Sequence, residues 1–152
     1  MAIDEEIKSK SFANEWHKLR VNLLFTTNWL QNNIKTFLKP FGITQKQFNI
    51  LRILRGHKGE VYLSILEIRD RMIDKMSDAS RIVDRLAKKG LVAKHPCTMD
   101  KRTTRIQILP DGLALLSKID KEEAKMDQLT SGISQKEAAQ VNKLLDKMRD
   151  KF

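Results

Sequence analysis

Apolar side chains recur at spacings of three, four or seven from Phe12 to Leu38, through Trp16, Leu19, Leu23, Leu30, Ile34 and Phe37. That spacing predicts one stripe of a long helix. Phe25 and Trp29 stand four apart off the stripe, so this helix is apolar on more than one side and is expected to pack against more than one element. Lys39-Pro40-Phe41-Gly42 ends it, because proline and glycine together oppose further helix. Three later helix starts are marked by capping boxes: Thr44-Gln45-Lys46-Gln47, Ser64-Ile65-Leu66-Glu67 and Ser134-Gln135-Lys136-Glu137. The first of these helices runs through Leu51 and Leu54 to a stop near Gly56 and Gly59, and Val61-Tyr62-Leu63 leads into the second, which is short.

After Ile73 another helix is predicted, capped by Asp74 or Ser77, with Ala79, Ile82, Val83 and Leu86 as its apolar face. Gly90 suits the left-handed position after its end, and Lys88 and Lys89 in the last turn suit the helix dipole. The pattern then changes period. Leu91-Val92-Ala93-Lys94 and Arg105-Ile106-Gln107-Ile108-Leu109 read as two strands around a loop at 96–103, the second strictly alternating. A helix, a glycine stop and a charged hairpin in that order are the parts of a winged helix-turn-helix. Leu113, Leu116, Ile119, Met126 and Leu129 predict a further helix from Asp111 that breaks at Ser131-Gly132, and Ala138, Val141, Leu144, Leu145 and Met148 mark the last one. These two cannot cover each other's apolar faces alone, which makes the long N-terminal helix and a second copy of the chain their simplest partners.

Charge sharpens the picture. The 152 residues carry 29 Lys+Arg and 19 Asp+Glu, a net charge of +10, and such an excess favours a polyanionic partner. Residues 81–105 alone hold eight basic and two acidic side chains, so the positive charge peaks on the predicted helix and hairpin, while residues 106–152 are balanced. The length fits one domain with two lobes and a real core. No apolar run approaches the ~20 residues of a membrane span. The acidic Met1–Glu6 segment has no signal core, and the single cysteine, Cys97, can form no internal disulfide, so a reducing cytoplasm is expected. No cofactor or metal is expected: His95 and Cys97 flank Pro96 without the other ligands of a zinc site, and no P-loop, GxGxxG, GxSxG or HExxH signature occurs.

The stretch Ser80-Arg81-Ile82-Val83-Asp84-Arg85-Leu86-Ala87-Lys88-Lys89-Gly90-Leu91-Val92 resembles the recognition helix and wing of the MarR family of bacterial transcription regulators, and Asp100-Lys101-Arg102 resembles that family's Asp-x-Arg wing motif. The resemblance spans nearly the whole chain. It implies a mainly α fold with a small β-wing: a winged helix-turn-helix DNA-binding lobe at 44–109 and a helical dimerisation lobe formed by 1–43 and 110–152, within one domain of 1–152. It also implies a homodimer on a pseudo-palindromic operator of double-stranded DNA, repression as the usual outcome, and release by a small-molecule effector or oxidation. The cysteine near the N-terminal helix by which some relatives sense oxidants is missing here, and Cys97 falls in the wing instead.

Recognition helices read base edges with their N-terminal side chains, which nominates Lys75, Met76, Ser77, Ser80 and Arg81. Arg85 lies one turn beyond Arg81, so one of the two can reach a phosphate while the other pairs internally. Arg81 has Asp78 and Asp84 as alternative partners. Asp78 itself either reads a cytosine amine, caps the helix or turns away. In the wing, Arg102 is expected to enter the minor groove, where an A·T-rich tract enhances the negative potential. By resemblance Asp100 orients it, and Lys101 and Arg105 add phosphate contacts. Trp16, Phe25, Trp29, Phe37 and Phe48 concentrate aromatic surface in the first third of the chain, compatible with core or with a ligand crevice. The leading reading is a sequence-specific transcription regulator, a repressor released by a small ligand. The alternative is a winged-helix architectural or protein-interaction module without strong operator specificity.

Overall fold

Leu38, Ile50, Leu51, Leu63, Ile68, Val83, Leu86, Ile106 and Leu116 are each less than 2% exposed and come from nearly every element of the middle of the chain. The computed structural model describes residues 2–8, 11–57, 62–97 and 103–150. In chain order these form α1 (Ile3–Glu6), the long α2 (Glu15–Leu38), a 3₁₀ turn (Lys39–Phe41), α3 (Gln45–Gly56), β1 (Leu63–Ser64), α4 (Ile65–Arg71), α5 (Ala79–Lys88), β2 (Val92–Pro96), β3 (Thr104–Ile108), α6 (Pro110–Asp120), α7 (Glu123–Asp127) and α8 (Gln135–Arg149). The three strands make one antiparallel sheet in the order β1-β3-β2, with Leu63 opposite Ile106 and Val92 opposite Ile108.

All three capping boxes form as the sequence predicts. Thr44, Ser64 and Ser134 each accept the backbone N–H three residues on, and Gln47, Glu67 and Glu137 return the bond to the cap. Gly90 closes α5 at φ +71°, and the amides of Gly90 and Leu91 bond back to the carbonyls of Ala87 and Leu86. This is a Schellman end, and it places buried Leu91 beside buried Leu86. α6 then packs tightly on the sheet: a Cβ on Gly112 would lie 2.5 Å from the Leu91 carbonyl oxygen and 2.9 Å from an Ile108 side-chain carbon.

Four local expectations are corrected. Phe12 lies outside the long helix, because Asn14 accepts the His17 N–H at 2.9 Å and starts the helix there. The cap of α5 is Asp78, not Asp74 or Ser77. The helix foreseen from Asp111 to Leu129 is divided: Asp120 and Glu123 are drawn to Arg55 and Arg52 of α3, at 2.5 and 3.2 Å, on either side of the break. A third strand, β1, joins the two-stranded wing that alternation predicts. No helix among the described residues is long and apolar enough to cross a membrane.

The two ends of the chain behave differently from the middle. α8 has no buried residue, and α2 buries only Leu38 at its C-terminal end. Trp16 is 81% exposed and Leu144 65%, with Leu19, Leu24, Trp29 and Met148 also exposed. Apolar stripes of this length left in water mark an unfilled contact surface.

Candidate nucleic-acid interface

α5 carries its core contacts on one face and its cations on the other. Ala79, Val83 and Leu86, at i, i+4 and i+7, are buried, whereas Ser80, Arg81, Arg85 and Lys88 are exposed. Asp78 starts the helix by accepting the Arg81 N–H at 3.0 Å, so its carboxylate is spent on capping. Asp84 pairs with Lys94 of β2 at 2.5 Å. Both acidic alternatives for Arg81 are thus engaged elsewhere, and among the described residues neither the Arg81 nor the Arg85 guanidinium has a hydrogen-bond or ion-pair partner. They stand one turn apart on an open helix face.

The turn that leads into α5 is fixed from below. Asn49 of α3 accepts the Ile73 N–H at 3.0 Å, and Lys46 of α3 meets Asp74 at 2.9 Å. Asp74 also accepts the Met76 N–H at 3.1 Å and the Ser77 hydroxyl at 2.8 Å. These donors, Lys46 foremost, hold its carboxyl below the usual range. Lys75 and Met76 project outward from this turn, but Ser77 is only 8% exposed. The expectation that Ser77 reads base edges is therefore corrected: its hydroxyl braces the turn from inside.

At the wing, β2 and β3 pair from Val92–Ile108 to Pro96–Thr104, and the Cys97 N–H donates to the Thr103 carbonyl at 2.9 Å. Across the strands His95 and Gln107 side chains meet at 3.0 Å, and Tyr62 stacks edge-on to His95. Asp100, Lys101 and Arg102 lie outside the described residues. Arg105 lies inside them, and it is not a free cation. Its guanidinium donates to Glu67 of α4 at 3.4 Å. Glu67 accepts both the N–H and the hydroxyl of Ser64 at 2.7 Å with the same oxygen. Those Ser64 bonds first, and Arg105 and Arg71 after them, keep the Glu67 carboxyl below its ordinary range. Glu67 thus ties the wing to the helix before the turn. The capping box made Glu67 visible in the sequence, but its partner 38 residues away was not.

A crevice of about 550 Å³ opens between the end of α2 and α6–α7, lined by Phe37, Pro40 and Phe41, by Lys118 and Lys121, and by the ion-paired Glu122 and Lys125. Of the five aromatic residues singled out by sequence, only Phe37 lines it. A shallower groove beside it runs past Gly42 to Lys89. There the Lys89 ammonium donates to the Gly42 carbonyl and, at 3.3 Å, to the Gln47 side chain. Among the described residues no group of three or more His, Cys, Asp or Glu side chains could hold a metal ion.

The chain is 27% identical over 143 residues to the HTH-type transcriptional repressor IacR of Pseudomonas putida, covering 93% of this chain and 80% of IacR. The MarR family model matches residues 43–104, from the residue before the Thr44 cap to the start of β3. Over this winged segment the chain is similar to the MarR family. Solved MarR-family structures extend the likeness beyond the matched segment. A mutant MarR from E. coli complexed with operator DNA superposes with a TM-score of 0.79 at 23% identity, covering 91% of this chain and 99% of that one. BpsR of Bordetella bronchiseptica, whose structure concerns regulation of DNA binding by 6-hydroxynicotinic acid, gives 0.75 at 21% identity, covering 87% and 98%. The MarR fold therefore includes the flanking helices as well as the winged lobe.

Proposed function

We propose that this protein is a sequence-specific, DNA-binding transcription regulator, a homodimeric repressor whose grip on a pseudo-palindromic operator is relaxed by a small molecule. The observation that carries this reading is the pair Arg81 and Arg85, unpartnered on the open face of a helix whose own acids are committed to capping and to Lys94. IacR is a transcriptional repressor, MarR is seen on operator DNA, and BpsR answers to an aromatic acid. In this reading residues 44–109 form the DNA-binding lobe. Lys75, Met76, Ser80 and Arg81 face base edges, and Arg85 faces the backbone. Arg102, oriented by Asp100, enters the minor groove, and Lys101 and Arg105 add phosphate contacts.

Residues 1–43 and 110–152 form the dimerisation lobe, in which α2 and α8 supply the exposed apolar stripes around Trp16, Leu144 and Met148. The effector would sit in the crevice against Phe37 and Phe41, where Lys118 and Lys121, beside the Lys125–Glu122 ion pair, suit an anionic aromatic compound. The chromosome as target places the protein in the cytoplasm.

The test is selection of bound duplexes from a random pool, followed by titration of the parent and Arg81→Ala on the recovered sequence. Arg81→Ala should weaken specific binding by roughly 1–3 kcal/mol with an unchanged melting temperature. A pool that yields no enriched sequence, with binding governed by salt alone, overturns the reading in favour of an architectural module.

A further inference from the structure

The two most exposed of the large apolar side chains described are Ile73, at 84%, and Met76, at 94%. They are three residues apart in the turn between α4 and α5. Exposed apolar groups on a frayed loop mean little, but this turn is anchored throughout. Met72 on one side and Ser77 on the other are buried. The backbone N–H groups of Ile73 and Met76 are bonded to Asn49 and Asp74. Asp74 is in turn held by Lys46 and by the Ser77 hydroxyl. Rigid backbone thus presents two apolar side chains outward at the point where α5 begins.

Their surroundings identify the occupant. Exposed Lys75 lies between them in the chain, and the exposed face of α5 that follows carries Ser80, Arg81 and Arg85. A cationic frame of this kind suits a polyanion. A recognition helix enters the major groove with its N-terminal end against the base edges, which brings the preceding turn beside the bases as well. The apolar feature that a base edge presents in that groove is the C5-methyl group of thymine.

We propose that Ile73 and Met76 form an apolar reading edge for thymine methyl groups, selecting A·T pairs at the positions in the half-site beside those read from α5. The inference rests on the DNA-binding reading given above and adds its base preference. Ile73 supplies a short, stiff, branched contact, whereas Met76 supplies a long adaptable one. The restrained turn limits the entropy lost when they dock.

The experiment uses the duplex enriched from a random pool and the same duplex with every thymine replaced by deoxyuracil, which removes methyl groups alone. Anisotropy titrations at fixed salt compare the parent with Ile73→Ala, Met76→Ala and the double variant, with melting curves to confirm that each is folded. The parent should bind the uracil duplex about fifteenfold to two-hundredfold more weakly, as expected for loss of one or two methyl contacts in each of the two half-sites. The double variant should show a similar loss on the thymine duplex and bind both duplexes equally. Equal binding of both duplexes by the parent, or full discrimination by the double variant, overturns the proposal while leaving operator recognition intact. Failure of the pool to enrich any sequence overturns the regulator reading itself, and this inference with it.

Discussion

Replacing Glu67 by glutamine should make the protein less stable and yet a tighter DNA binder. The stability side follows from three contacts. Glu67 shares one oxygen between the Ser64 N–H and hydroxyl, both at 2.7 Å, and holds Arg105 at 3.4 Å. Glutamine keeps an acceptor for the capping box, so the cap weakens without vanishing. The lost negative charge at the start of α4 is worth about 0.3–1 kcal/mol. The ion pair joins side chains 41% and 37% exposed, and such pairs contribute roughly 0.2–1 kcal/mol. Together these give about 1 kcal/mol, or a melting shift of ~2–4 °C for a chain of this size.

On the binding side, Glu67→Gln releases the Arg105 guanidinium and removes an anion from the proposed DNA-binding lobe. Arg105, shared between Glu67 and phosphate in the parent, then neutralises phosphate in full, steepening the slope of log affinity against log salt by up to about 0.9 per protomer. Urea unfolding measures the first effect, and anisotropy titrations over a range of salt measure the second. Arg105→Ala is the companion variant and should flatten the slope. If Glu67→Gln loses the expected stability while affinity and slope stay at parental values, Arg105 does not meet phosphate and its role ends at Glu67.

Leu144→Glu places a charge on the exposed stripe of α8 and should convert a dimer to a monomer in sedimentation at micromolar concentration; a parent that is itself monomeric there, with DNA binding intact, removes the proposed assembly. Acid should destabilise the protein in a defined window. Glu67, Asp74, Asp120 and Glu137 all have folded pKa values lowered by hydrogen bonds or ion pairs. Their stabilisation is present in full above the ordinary carboxylate range and is lost as pH falls through it to the lowered values. Melting curves taken from neutral pH downward should therefore stay level and then decline. A melting temperature that rises on acidification would contradict the carboxylate assignments.

Much of the frame was legible because local chemistry wrote it. Capping at Thr44, Ser64 and Ser134 depends on residues three apart, and the left-handed Gly90 depends on one. What escaped depends on distant partners. β1 is two residues long and exists through pairing with β3, where Leu63 meets Ile106. The residues on either side of the break after α6, Asp120 and Glu123, pair with Arg55 and Arg52, which lie on another helix. In the candidate site the exposed face of α5 followed from the spacing of Ala79, Val83 and Leu86. The turn before it did not. Asp74, Ser77 and Asp78 are all competent caps, and packing decides that Asp78 caps, Asp74 braces and Ser77 is buried. Arg105 likewise read only as a phosphate contact, because its ion-pair partner Glu67 is remote in sequence.

Lys89 sits at the C-terminal cap of α5, and its ammonium rests on the Gly42 carbonyl at the foot of the long helix. The end of α5, the proposed reading helix, is therefore moored to the joint that follows α2. If two copies meet through α2, a small change of angle there becomes a change in the distance between two reading helices, because a four-carbon stem gives a little and then pulls. The gauge that such a pair offers to successive turns of duplex would be calibrated at that joint, well away from any base.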